Sequence, residues 1–410
     1  MDVCVVGLGY IGLPTALMMA SHGIDVVGVD YSDKVVSELN SGQLTFQEDG
    51  LQAVFDQALE AGIVFTKDYP KADMYIISVP TPYDAETKKI DASYVVNAVN
   101  SVFDVCDPGA IIVVESTISP GTIDSFVRPA ALARGFVPGE NVHLVHAPER
   151  IIPGNMINEL VHNNRTIGAD SSEIAEQVKA VYQSFCEGSI SITDIRTAEM
   201  SKVVENTFRD INIAYANELA KICRSASMDV NEVIRIANCH PRVNILSPGP
   251  GVGGHCISVD PWFLVGDYPE LANLIRQARQ INDSMPEYVL ARVCEIMAEN
   301  SIEDVSRVGF YGLTYKENVD DIRESPTLQL VDSMRKHLCG GSGAVKFYDP
   351  FVKDDVVSGQ VHDMDSFLNA VDLVVVMVGH DEIRENEKRL RGKIVLDTRQ
   401  CLSEVPAERL

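Results

Sequence analysis

The chain is 410 residues long, 46% hydrophobic and 23% charged, with a formal net charge of −25. The length suits two or three domains rather than one, and the composition excludes a disordered or low-complexity protein. The acid excess argues against a nucleic acid or an anionic membrane surface as partner; a small anionic ligand stays open, because a few local Arg and Lys residues can dominate a pocket.

Nine cysteines is an odd count, and no two stand in CxxC spacing. That pattern points to reduced thiols in the cytoplasm rather than to a disulfide framework or a zinc site. The N-terminus MDVCVVGLGYIG has an acidic second residue and no basic leader region, so it reads as a strand. The longest apolar runs, such as Leu373–Val378, fall far short of the roughly 18 residues that span a bilayer. No membrane segment is expected.

In chain order, Val- and Ile-rich runs at 3–7, 25–30, 74–80, 110–117 and 142–149 each give way to Gly or Pro and then to a longer helical pattern. Continuous apolar strands alternating with helices predict a parallel sheet covered on both faces. From about 196 to 300 the pattern is almost wholly helical. Strand-like runs return at 307–313, 344–350, 373–379 and 393–398. The expected fold is α/β, with two Rossmann-like doubly wound domains joined by a helical middle domain. The expected divisions are 1–190 for a dinucleotide-binding domain, 191–300 for the helical domain and 301–410 for the second α/β domain.

The first strand runs straight into Gly7-Leu8-Gly9-Tyr10-Ile11-Gly12. GxGxxG at a strand-to-helix junction is a dinucleotide fingerprint: Gly7 for the tight turn, Gly9 for close approach of a pyrophosphate, Gly12 for helix–strand packing. Asp30 ends the second strand. A carboxylate there accepts from ribose hydroxyls and repels a 2′-phosphate, so NAD is the expected cofactor.

The segment 196–223 predicts one long helix. Met200, Val204, Thr207, Phe208, Ile211, Tyr215, Leu219 and Ile222 form its apolar stripe, and Glu199, Lys202, Asn206, Arg209, Asp210 and Asn217 fall on the other side. Periodicity alone makes the second face solvated surface. Lys202 and Asn206, though, are one turn and about 6 Å apart, placed to aim two donors at one developing oxyanion. An apolar stripe this long also suggests a homodimer through the central helices. Further on, PGPGVGGHCISVD (248–260) sets four glycines before Cys256. By itself the loop is equally a nucleophile's seat, a metal ligand, a redox switch or a tight turn.

Cys256 with Asp260, Lys202 with Asn206, and the N-terminal GxGxxG together resemble the UDP-glucose/GDP-mannose dehydrogenase family. The likeness extends through VPTP (79–82), EST (115–117), APER (147–150) and GLTYKENVDDIRESP (312–326). Within the family, the 196–223 and 240–263 segments are similar to the branch that acts on UDP-N-acetyl-D-mannosamine. The resemblance implies oxidation of a UDP-sugar CH2OH to carboxylate with two NAD+ in succession, through a thiohemiacetal and a thioester on Cys256. It implies Lys202 and Asn206 as oxyanion donors, Glu149 as acid/base, and Thr117 with Asp260 holding water. Cofactor contacts are implied at Gly7, Gly9, Tyr10, Ile11, Gly12, Asp30, Pro80, Thr81, Thr117 and Arg323. Substrate contacts are implied at Glu149, Arg150, Lys202, Asn206, Arg209, Arg242, Asn244, Gly253 and Lys316, with Arg242 reaching from a neighbouring subunit. The glycines of the thiol loop are expected to let backbone run beside sugar and nicotinamide, and Asp349-Pro350 to end a strand where the second sheet places UDP.

The bland readings stay in view. Glu149 could be a loop carboxylate, Asp260 a turn residue before Pro261, Thr117 a cap and Arg242 a surface guanidinium. His255 beside the thiol is expected to point away from the chemistry. A nucleotide-sugar epimerase or dehydratase needs YxxxK, and no tyrosine here has a lysine four residues on. A UDP-N-acetylglucosamine or UDP-glucose 6-dehydrogenase remains an alternative substrate reading. A non-catalytic NAD- or UDP-sugar-binding regulator is the alternative of a different class, disfavoured because Cys256, Lys202, Asn206, Glu149 and Asp260 are all present. No metal is expected: Cys239-His240 and His255-Cys256 lack paired ligand spacing.

Overall fold

A computed structural model describes residues 1–254, 256–337 and 345–410, with the side chains of 335–337 outside the description. The chain divides into two compact units, Met1–Glu205 and Asn206–Leu410.

The first unit is built on an eight-stranded sheet. In chain order its strands are β1 (Asp2–Val6), β2 (Asp25–Val29), β3 (Val64–Thr66), β4 (Met74–Ile77), β5 (Ile111–Val114), β6 (His143–His146), β7 (Arg165–Ala169) and β8 (Ile190–Thr193). The spatial order is β3-β2-β1-β4-β5-β6-β7-β8, parallel except where β6 meets β7. Residues of β1 alternate between two cores, Val3 and Val5 on one face and Cys4 and Val6 on the other. Burial on both faces is why these strands read as unbroken apolar runs. The β7–β8 pair was not among the expected strands. Arg165, Thr166, Ser191 and Thr193 break its apolar run.

The second unit carries a five-stranded parallel sheet of β9 (Val308–Tyr311), β10 (Lys346–Tyr348), β11 (Gln360–Val361), β12 (Leu373–Val376) and β13 (Ile394–Asp397). Its order, β11-β10-β9-β12-β13, repeats that of β3-β2-β1-β4-β5. The repetition reaches single atoms. Gly7 and Gly312 both turn left-handed, at φ 92° and 97°. Each donates its N–H to the last residue of the neighbouring strand, Val29 or Tyr348, at 2.8 Å. The next N–H goes to the carboxylate that follows that strand: Leu8 to Asp30 at 2.9 Å, Leu313 to Asp349 at 2.6 Å. Two sequences with no close identity thus solve the same turn the same way.

In chain order, helices Ile195–Ser225, Val230–Ala237, Asp260–Asp267, Asn273–Asp283 and Met285–Glu299 follow the last strand of the first sheet and precede the first strand of the second. Among the described residues, no helix is long and apolar enough to cross a membrane, and none of the eight cysteines described, of the nine in the sequence, is in a disulfide.

Candidate active site

The glycine loop has the form a dinucleotide needs. A Cβ on Gly12 would lie 1.9 Å from the Gly7 carbonyl oxygen, so only glycine lets the first helix (Gly12–Ser21) start against the strand. A Cβ on Gly9 would meet nothing within 4 Å, leaving open ground for a pyrophosphate at that helix N-terminus. Asp30 accepts from Leu8 N–H at one oxygen and from Ser32 N–H (2.9 Å) at the other. Both bonds aim the carboxylate, and a carboxylate keeps lone pairs for ribose hydroxyls. Tyr10 stacks on Phe46 with centroids 4.4 Å apart, and Ile11 packs against the core.

Ser116 stitches the loops after β4 and β5: it accepts from Val79 N–H at 2.9 Å and donates to the Val79 carbonyl at 2.7 Å. Exposed Pro80 and buried Thr81 lie on one loop, half-buried Thr117 on the other. Ser116 gave no sequence signal beyond its place in EST.

Glu149 follows β6 and is 6% exposed. One oxygen accepts the backbone N–H groups of Arg150 (2.6 Å) and Ile151 (3.1 Å), and the other pairs with Arg165 of β7. Arg165 also lies 3.8 Å from Glu115, which receives hydroxyls from Ser78 (2.6 Å) and Tyr182 (2.9 Å). Burial pushes the Glu115 carboxyl up to about 7, with Arg165 pulling the other way. The surface-loop reading of Glu149 does not describe this group. The guanidinium of Arg150 forks onto Glu205 at 2.7 and 2.8 Å. Neighbouring His146 donates from Nδ1 to the Val114 carbonyl at 2.9 Å, and burial holds it neutral, its pKa pushed down to about 3.

The long helix Ile195–Ser225 corrects the periodicity reading. Its polar side is the buried one: Glu199, Asp210 and Asn217 are 0% exposed, Lys202 4% and Asn206 6%. Its apolar stripe is open at Val204, Phe208, Tyr215 and Ile222, with Phe208 67%, Tyr215 53% and Ile222 52% exposed; Met200, Ile211 and Leu219 are half-buried and Thr207 is buried. Arg209, expected beside Lys202, is exposed at the margin of the buried face. Glu199, Asn206, Asp210 and Asn217 each have partners to match. Glu199 accepts the N–H groups of Gly121 (2.5 Å) and Ile123 (3.0 Å). Asp210 pairs with Arg279 (2.6 Å) and Asn282 (2.8 Å); burial, against the pull of Arg279, raises it to about 6.

The three asparagines clasp the stretch that leads to the thiol. Asn212 donates to the Asn244 carbonyl (2.8 Å) and accepts from Leu246 N–H (3.0 Å). Asn217 accepts from Gly249 N–H and donates to Asn282, both at 2.8 Å. Asn206 donates to Asp260 at 2.5 Å. Asp260 starts its own helix, and its backbone N–H bonds the Cys256 carbonyl at 2.9 Å. Cys256 is exposed on that turn; His255 lies outside the described residues.

The glycines before the thiol serve packing against protein. Cβ atoms on Gly253 and Gly254 would come within 2.6 and 2.8 Å of Tyr315, and one on Gly251 within 3.1 Å of Pro326. Gly254, at φ +82°, donates its N–H to the Arg323 carbonyl at 3.0 Å. The Arg323 guanidinium folds back on Asp321 at 2.6 Å. Lys316 is half-buried on the same loop, and Arg242 and Asn244 are exposed. Asp349 is consumed internally. It holds the Leu313, Thr314, Phe351 and Val352 N–H groups and buried His380, and so shapes the loop that bears Lys316. Among the described residues, no group of three or more His, Cys, Asp or Glu side chains is placed to hold a metal ion.

Known proteins carry the same plan along the whole chain. Residues 1–186 match the NAD binding domain of the UDP-glucose/GDP-mannose dehydrogenase family, 196–284 its central domain and 309–404 its UDP binding domain. The UDP-N-acetyl-D-mannosamine dehydrogenase of Methanococcus vannielii is 43% identical, over 98% of this chain and 93% of its own. An NDP-N-acetyl-D-galactosaminuronic acid dehydrogenase of Ralstonia nicotianae is 40% identical, over 97% and 95%. The solved UDP-N-acetyl-mannosamine dehydrogenase Cap5O of Staphylococcus aureus superposes with a TM-score of 0.89 at 41% identity, covering 100% of this chain and 98% of that one. With its glycine loop open at Gly9 and its cysteine turn clasped by asparagines, the chain belongs to the UDP-glucose/GDP-mannose dehydrogenase family and binds NAD.

Proposed function

We propose that this protein oxidises UDP-N-acetyl-D-mannosamine at C6 to UDP-N-acetyl-D-mannosaminuronate, consuming two NAD+ and one water and releasing two NADH and three protons. The observation that carries the reading is the exposed Cys256 on a turn whose following residue, Asp260, is buried and held by Asn206. The names of the relatives support the sugar. Bound NAD+ is the hydride acceptor in each two-electron step, with Gly7, Gly9, Tyr10, Ile11, Gly12, Asp30, Pro80, Thr81, Thr117 and Arg323 around it.

The protein's own groups divide the work. The Cys256 thiolate adds to the C6 aldehyde and holds it as a thiohemiacetal, then as a thioester. Lys202 and Asn206 stabilise the alkoxide and the tetrahedral oxyanions. Glu149 takes a proton from water held by Thr117 and Asp260 as its oxygen bonds C6; the C–S bond then breaks and the thiolate leaves. Arg150, Arg209, Arg242, Asn244, Gly253 and Lys316 are the proposed substrate contacts. Residues 1–190, 191–300 and 301–410 serve cofactor, dimer and thiol, and UDP. The exposed ridge of Val204, Phe208, Tyr215 and Ile222 pairs with a second copy of the chain. The thiol chemistry suits the reducing cytoplasm.

The test is NADH formation against a panel of UDP-sugars. Two NADH per UDP-N-acetyl-D-mannosamine, with UDP-glucose inert, is the expected result. Turnover of UDP-glucose or of an N-acetylgalactosamine nucleotide alone overturns the substrate. No turnover of any sugar, with NAD bound, favours the regulator.

A further inference from the structure

Glu149 and Arg165 form a closed pair. Arg165 is 5% and Glu149 6% exposed. Among the described residues, neither the paired Glu149 oxygen nor the paired Arg165 nitrogen has another hydrogen-bond partner. The guanidinium is boxed in on its other sides, with the Tyr182 ring 4.5 Å and the Phe185 ring 5.4 Å from its centre and Glu115 behind it at 3.8 Å. Glu115 is in turn fixed by the Ser78 and Tyr182 hydroxyls. The parts come from the ends of β4 and β5, from β7, and from the helix Ser172–Tyr182. This is a rigid scaffold built to present one cation to one carboxylate.

We propose that Arg165 is a positioning residue for hydrolysis, with Glu115, Tyr182 and Ser78 as its support: it holds and aims Glu149 as the base that releases the product from Cys256. The proposal rests on the acid/base reading of Glu149. The free backbone alternative is insufficient. Two N–H donors fix one carboxylate oxygen but leave the other able to swing. The guanidinium pins that second oxygen. Arginine suits the task because its planar fork serves Glu149 and Glu115 from one side chain, which a lysine ammonium does not. The positively charged group also accounts for the geometry of β7. An antiparallel step from β6 to β7 brings Arg165 back beside the residue that follows β6.

The step affected is the last one. Water gives a proton to Glu149 and its oxygen to C6, the C–S bond breaks, and Cys256 leaves as thiolate. Acylation, which ends in the thioester, does not need that base. The experiment compares wild type, Glu149→Gln, Arg165→Met and Arg165→Lys with NAD and UDP-N-acetyl-D-mannosamine, or with whichever panel sugar turns over. Stopped-flow reads NADH, and intact mass after acid quench reads the sugar adduct on the protein. Glu149→Gln and Arg165→Met are expected to release about two NADH per site in a burst at the wild-type rate. They then stall with the adduct in place, and steady turnover falls about 10²-fold or more. Arg165→Lys keeps charge without the fork and is expected to slow hydrolysis about 10-fold with an unchanged burst. Should Arg165→Met not fold, the lysine variant decides: slowed hydrolysis supports the assignment and wild-type hydrolysis overturns it. Arg165→Met turning over without adduct, while Glu149→Gln accumulates it, refutes the positioning role and leaves Glu149 in place. Glu149→Gln turning over without adduct refutes the base assignment, and the role of Arg165 with it.

Discussion

Glu199 offers the sharpest thermodynamic test of the buried polar helix. Its carboxylate accepts the N–H groups of Gly121 and Ile123, and burial raises its pKa from 4.5 to about 7, the two N–H bonds opposing the rise. A carboxyl raised on folding stabilises fully below its unfolded pKa and loses that contribution as pH climbs through the folded value. The window is therefore pH 4.5 to about 7. At 1.36 kcal/mol per unit the loss amounts to about 3 kcal/mol, of which about 2 kcal/mol falls between roughly pH 5 and pH 8. Glu199→Gln removes the titration. Its amide oxygen still accepts one N–H, so a constant cost of about 1–2 kcal/mol remains at every pH. The variant is expected to be clearly less stable than wild type near pH 5 and to draw level or pass it near pH 8. Urea unfolding followed by far-UV circular dichroism at intervals across that range measures the difference. Parallel curves, with the gap between the two proteins constant in pH, would show that Glu199 does not ionise against a folding penalty and would refute the reasoning.

Cys256→Ser is expected to lower four-electron turnover by roughly 10³-fold or more, since an alcohol traps the aldehyde poorly and leaves badly; full production of uronate by the variant would end the thioester mechanism. Asn217→Ala strands the Gly249 N–H and the Asn282 amide oxygen in the interior, which predicts a loss of about 2–4 kcal/mol in urea unfolding, with kcat reduced because the thiol stretch loses its clasp; a loss under 1 kcal/mol contradicts it. Gly254→Ala forces a side chain at φ +82° against the Tyr315 ring, and kcat is expected to fall more than KM rises. Phe208→Glu on the exposed ridge is expected to convert a dimer to monomer in sedimentation velocity; an unchanged sedimentation coefficient at equal concentration removes that face from the interface.

The fold was legible because both sheets are buried on two faces. Every strand expected from an unbroken apolar run is present; β3 and β11, of three and two residues, were too short to read, and β7 and β8 carry Arg165, Thr166, Ser191 and Thr193. The reason Arg165 hides in a sequence is the same reason it matters: a charge in a strand reads as an edge or a loop unless its partner, Glu149, is already placed. The glycine loop was legible down to each glycine, because backbone turns and close packing are local demands. The packing partners of the thiol-loop glycines were not, since Tyr315, Glu324 and Pro326 lie about sixty and more residues away in the chain. What Asp349 itself does was not legible either: the strand end was expected, but of the five hydrogen bonds by which its carboxylate holds the neighbouring loops, those to Leu313, Thr314 and His380 reach residues far along the chain.

The inverted helix follows from what its two faces have to do. An apolar face against the thiol stretch would bury area without fixing register, because Leu or Val contacts tolerate sliding by a fraction of a turn. Asn212, Asn217 and Asn206 bond named backbone and side-chain atoms at 2.5–3.0 Å, and a slip of one residue would strand each of them at a cost of about 1–3 kcal/mol apiece. Hydrogen bonds thus specify where Cys256 sits in a way that hydrophobic area does not. The apolar residues displaced from the inside are left with the outside. Fully covering a Phe, Tyr or Ile side chain is worth about 1.5–3 kcal/mol, enough for the ridge of Phe208, Tyr215 and Ile222 to serve the proposed self-complementary contact on the same helix that holds Lys202 and Asn206. Under the proposed function one helix would then carry both the interface and the oxyanion donors. On this reasoning Phe208→Glu is expected to lower activity along with the sedimentation coefficient, and a fully active monomer would separate the two faces.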